Sequence, residues 1–76
     1  MYTIGEKYMY GSYEGNIKRA RVYVNGVGQA IGGTFLNGKY DYYINAGITD
    51  VNDLVEIEGW NENNEVIASK KRVEIK

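Results

Sequence analysis

Arg19-Ala20-Arg21-Val22-Tyr23-Val24-Asn25-Gly26 is the stretch on which the fold turns. Its apolar residues Ala20, Val22 and Val24 occupy every second position, with Arg19, Arg21 and Tyr23 between them. A strand sends successive side chains to opposite faces, so this spacing buries one face and wets the other. Asn25-Gly26 then supplies residues that accept the positive φ angles of a tight hairpin turn. The segment from Gln29 to Phe35 is the expected returning strand, broken at Gly32-Gly33 by a bend or bulge.

The same grammar recurs on both sides. A second Asn-Gly, Asn37-Gly38, opens a run in which Tyr40, Tyr42 and Ile44 share one face and Asp41, Tyr43 and Asn45 the other. Val55 and Ile57 alternate with Glu56 and Glu58 ahead of Gly59-Trp60. The polar stretch from Asn61 to Glu65 predicts a hairpin loop, and Val66 to Ile75 a final strand with Val73 and Ile75 inward. Upstream, Tyr8 to Tyr13 is an aromatic extended run, preceded by a short strand over Tyr2 to Ile4. Only Ile48 to Leu54 allows a helical turn, with Thr49 as its cap. Turn signals at a spacing of roughly 8–12 residues, with no crossover helix, predict an all-β fold: an antiparallel sandwich of about seven short strands. A small barrel is the competing closure.

Composition narrows the chemistry. A chain of 76 residues forms one small domain, spanning 1–76. It has no cysteine and no histidine, which removes disulfides, thiol nucleophiles, thiolate zinc sites and the commonest general base. Nine basic and ten acidic side chains give a net charge of -1, which argues against a nucleic-acid or anionic-membrane partner. No apolar run approaches the roughly 18 residues of a membrane span, and the opening residues do not form a signal peptide. The close on Val73-Glu74-Ile75-Lys76 reads as the last strand of a module cut from a longer protein, with signal and anchor elsewhere.

Several words of the sequence are similar to a known family. Gly11-Ser12-Tyr13-Glu14-Gly15 precedes the segment Ile17 to Gly26; then come Asn37 to Tyr43, Asp53 to Asn61 and Val73-Glu74-Ile75. In this order they resemble the bacterial immunoglobulin-like repeats found in tandem in surface and secreted proteins of Gram-positive bacteria. The resemblance covers nearly the whole chain. It implies an immunoglobulin-like sandwich used as one bead of an extracellular stalk or adhesion array, with neighbouring domains of the same chain as partners. It brings no catalytic residues and no cofactor. Unlike antibody domains, the chain has no cysteine pair between its sheets, so packing alone must close the core. In such a role, tension is expected to pass between termini at opposite ends of the bead.

Residue clusters with chemical potential have structural readings beside the functional ones. Glu56 and Glu58 share a strand face about 7 Å apart by strand rise, within the range of an inverting glycosidase; solvated carboxylates paired across to Lys70 or Arg72 are the alternative. Asp50, Asn52 and Asp53 are oxygen ligands suited to calcium, but the EF-hand pattern fails and a turn-forming role competes. Lys18, Arg19 and Arg21 beside Tyr23 form a small basic patch, and Lys70-Lys71-Arg72 suits an edge that discourages strand pairing. Eight tyrosines and one tryptophan exceed what a small core absorbs. Tyr40 and Tyr42 read as core. Tyr23, Tyr43 and Trp60 fall on the opposite phase and are the candidate ligand or interface residues, for a glycan or a host or surface protein.

Overall fold

Strand alternation is realised in a computed structural model that describes residues 2–44, 48 and 50–76. The strands are β1 (Tyr8–Ser12), β2 (Arg19–Val24), β3 (Val27–Gly32), β4 (Thr34–Leu36), β5 (Lys39–Tyr43), β6 (Val55–Trp60) and β7 (Val66–Arg72). They form two sheets, ordered β1-β5-β4 and β3-β2-β6-β7, and every pair within them is antiparallel. No helix occurs among the described residues. Each sheet keeps two edges, so the closure is a sandwich and not a barrel.

Both Asn-Gly pairs make the expected turns. Asn25 and Gly26 have φ of 50° and 83°, and Asn37 and Gly38 have 53° and 77°. Gly33, at φ 99°, carries the chain from β3 in one sheet to β4 in the other. The expected bend is therefore a change of sheet. The bulge lies elsewhere, opposite Val22, where the register slips between the Arg21–Ile31 and Tyr23–Gly28 pairs.

The interior is built as the alternation demands. Met9 from β1 and Tyr42 from β5 cluster with Ala20 and Val22 from β2 and Val55 from β6, joined by Ile44, Ile48, Val73 and Tyr2. Removing a Val-sized side chain from water contributes about 1.5–3 kcal/mol, and this cluster replaces the missing disulfide as the tie between sheets. A polar tie supplements it: the Tyr42 hydroxyl donates to the Ala30 carbonyl of the facing sheet. Burial raises the Tyr42 phenol above its ordinary pKa.

Three sequence expectations are corrected at the ends of the chain. The last strand stops at Arg72. The Val73 amide still donates to the Val55 carbonyl of β6 at 2.7 Å, in register with the Glu56–Arg72 pair, and its side chain enters the core. But β6 begins at Val55, and residues 74–76 pair with the Tyr2–Ile4 segment instead. In place of a strand over Tyr2 to Ile4 there is a single parallel bridge between Tyr2 and Ile75. The two chain ends consequently lie side by side, not at opposite ends of the sandwich. Asp50 to Asp53 forms a hydrogen-bonded turn, the Asp53 amide donating to the Asp50 carbonyl at 3.0 Å. The proposed cap Thr49, and Asn45 on β5's outward phase, lie outside the described residues.

Candidate functional site

The three aromatic residues selected by phase all face outward, yet they do not make one surface. Tyr23 and Trp60 belong to β2 and β6 of the four-stranded sheet, whereas Tyr43 belongs to β5 of the three-stranded sheet. On the four-stranded sheet, Glu58 ties the first two together. The Tyr23 hydroxyl and the Trp60 indole N–H each donate to Glu58 Oε1 at 3.0 Å. Lys70 Nζ sits 4.0 Å from the centroid of the Tyr23 ring, and the Arg21 guanidinium carbon 5.5 Å from it. The polar handle of each aromatic is thus satisfied within the sheet, and a cation covers a face of Tyr23. The hydrogen bond to the Glu58 carboxylate raises the Tyr23 phenol above its ordinary pKa. This arrangement rivets β2 to β6 and leaves Tyr23 poorly placed to stack on a sugar.

Tyr43 keeps different company. It is the cross-strand partner of Tyr8, with ring centroids 5.5 Å apart in an edge-on arrangement, and Tyr10 follows 6.2 Å from Tyr8. These rings are 42% (Tyr8), 55% (Tyr10) and 52% (Tyr43) exposed. Tyr8 and Tyr10 were not singled out from the sequence. The signal was present, because Met9 between them is apolar and its burial puts both tyrosines on the outer face.

Of the acidic candidates, Glu58, Asp50 and Asp53 have structural duties. Glu56 and Glu58 project from the outer face of β6, opposite Tyr23 and Arg21 respectively. At the Asp50 turn, Asp50 Oδ1 accepts from the Asn52 amide at 2.9 Å, and Asp53 Oδ1 accepts from the Asn25 side chain at 3.2 Å. Asn25 Oδ1 in turn accepts from the Leu54 amide at 2.9 Å. These bonds pin the connection before β6 to the β2–β3 turn, so the carboxylates serve the backbone.

One feature had no counterpart in the sequence reading: a cleft of about 430 Å³ between the sheets. Its apolar walls include Ile17, Phe35, Tyr40, Ile57 and Ala68, with Ser69 and Lys71 also on the lining. Phe35 stacks on Tyr40 at 5.4 Å and receives Tyr13 edge-on at 5.0 Å. The cleft lies at the end of the sandwich nearest the Asn61–Glu65 loop, where Gly59 pairs with Ala68. At the opposite end Tyr2, Ile44, Ile48 and Val73 are buried. Partial burial raises the Tyr40 phenol above its ordinary pKa. Sequence periodicity assigns faces to strands and says nothing of how far two faces stay in contact, so this opening was not legible in it.

Two sheets of this order, closed over an apolar core without cysteine, agree with a comparison of the whole sequence against family models: residues 1–76 match the bacterial Ig domain (Big_16) family. The chain belongs to that family. No curated protein and no solved structure matches it. As a bacterial Ig domain it has the immunoglobulin-like sandwich that its sequence resemblance implied.

Proposed function

We propose that this bacterial Ig domain is a non-catalytic, load-bearing spacer within a longer extracellular protein, with adjoining domains of the same chain as its partners. The pairing of the two chain ends carries the reading. The Tyr2 amide donates to the Glu74 carbonyl at 2.9 Å, the Ile4 amide to the Lys76 carbonyl at 2.8 Å, and the Lys76 amide to the Tyr2 carbonyl at 2.9 Å. Because these segments run parallel, pulling on the N-terminus and the C-terminus drives them in opposite directions along their shared axis. The three bonds are then loaded together in shear and must yield as a group. Adjacent ends, contrary to the sequence expectation, are thus compatible with transmitting tension. Family membership supports a structural and extracellular role, and the family's Gram-positive surface setting is part of the proposal.

Mechanical unfolding of tandem copies tests it. Attachment through the first and last residues of the domain should give a high, uniform rupture force, and Ile4→Pro, which deletes one donor, should lower it while the rest of the domain stays folded. Rupture of the unaltered domain at the force of the Ile4→Pro variant would defeat the reading.

A second reading, a binding module for glycans or proteins, is favoured by the exposed Tyr8–Tyr10–Tyr43 group. Amphipathic rings on one sheet face suit stacking on sugar rings or burial at a protein contact. Of the three residues selected from sequence, only Tyr43 belongs to this group. Glycan-array binding lost in Tyr43→Ala and retained in Trp60→Ala would favour it over the spacer alone.

A further inference from the structure

The gap between β1 and β7, the adjacent edges of the two sheets, is filled over only part of its length. At the Asn25 end, the Tyr2–Ile4 segment lies parallel to residues 74–76 and places Tyr2 in the core. Toward the Asn61 end the same gap opens into the cleft, where Ile17, Phe35, Tyr40 and Ile57 are only partly covered. Edge strand β7 borders this opening. Alternate backbone N–H and C=O groups of an edge strand point away from the sheet and can template another strand.

We propose that the β7 edge and the cleft together accept an extended peptide strand of alternating apolar and acidic residues. The apolar set follows from the walls, since inward side chains of a strand added beside β7 enter a space bounded by Ile57, Ala68 and the Phe35–Tyr40 stack. The acidic set follows from charge. Arg72 pairs with outward Glu56 and Lys70 covers the outward Tyr23 ring, so both stand on the outer face of β7, whereas Lys71 pairs with Ile57 and lines the cleft. A strand paired there brings its outward side chains beside Lys70 and Arg72. Glu14 is the acidic residue on the cleft lining, and it comes from the β1–β2 connection, not from β7. Continuity fixes the direction. The added strand extends the path that Tyr2–Ile4 already follows, parallel to the chain of β7. The inference does not depend on the spacer reading.

The test uses the full chain and two capped peptides of the length of β7, one alternating valine with glutamate and the other valine with lysine. Amide exchange and chemical shifts report the site. The glutamate peptide should slow exchange of outward amides of β7 and shift Ala68, Ile57 and Tyr40, and the lysine peptide should bind at least about tenfold more weakly. Ala68→Phe, which places a ring in the cleft, should abolish binding. Should that variant fail to fold, reversal at the edge through Lys70→Glu with Arg72→Glu should invert the preference between the peptides. Equal binding of both peptides, shifts confined to β1, β3 or β4, or no binding at millimolar peptide each overturn the proposal. So does concentration-dependent dimerisation through β7, which would make a second copy the occupant.

Discussion

Gly11 and Tyr40 are cross-strand partners, and the Tyr40 ring occupies the space beside the glycine. A β-carbon on Gly11 would stand 2.4 Å from Tyr40 Cε1, far inside van der Waals contact. Gly11→Ala should therefore destabilise the domain by about 1–3 kcal/mol, the usual cost of overpacking. Tyr40→Leu should recover part of that loss in the double mutant, measured by urea unfolding; additive effects would show that the ring does not press on this strand. Val22 presents the opposite case. It is fully buried, and Val22→Ala should cost about 2 kcal/mol through lost burial and a residual cavity. Glu58 illustrates a third kind of duty. In Glu58→Ala the Tyr23 phenol loses the partner that raises its pKa and should titrate closer to its ordinary value, as followed by the ring resonances. An unmoved titration would mean that the hydrogen bond does not persist in solution.

Elements were legible where side-chain alternation and turn chemistry coincide. In β2 both signals were present, so its bounds, its buried face and the following turn could all be read from Arg19 to Gly26. Gly26 tests the turn alone. A β-carbon there would meet nothing within 4 Å, yet φ is 83°, so Gly26→Ala should lose about 1 kcal/mol from backbone strain without a clash. Gly32 also has open space but no such positive φ, and Gly32→Ala should be close to neutral in the same thermal melts. A large effect at Gly32, or none at Gly26, would contradict the turn assignment. The last strand was harder to read, because Val73 and Ile75 keep the alternation of β7 after the chain has left it. Periodicity records which way a side chain points, not which partner its backbone has chosen. β6 runs out at Val55, the partner of Val73, and beyond it the backbone pairs with the Tyr2–Ile4 segment, distant in sequence. The candidate site was legible to the same degree: the outward phase of Tyr23, Tyr43 and Trp60 was available, but their division between two sheets depended on the crossing at Gly33.

At the scale of the whole molecule, the composition sets the response to pH. The chain has no histidine and no cysteine, so no side chain has an ordinary pKa between about 5 and 8. Burial raises the phenols of Tyr40 and Tyr42. In the unfolded chain these groups lose protons near pH 10, whereas in the fold they retain them to higher pH. The folded state then binds more protons, and stability falls as pH rises from about 10 through the folded values. The urea midpoint should be level from pH 6 to about 9 and decline above about 10; a decline beginning near neutrality would contradict this. The sandwich as a whole is closed at one end by the paired chain ends and open at the other through the cleft. Amide hydrogen exchange tests that claim most directly. The amides of Tyr2, Ile4 and Lys76 should exchange nearly as slowly as those of β2 and β6, opening only when the domain unfolds. Exchange of these three at the rate of an unstructured chain would show that the ends do not close the core and cannot carry load.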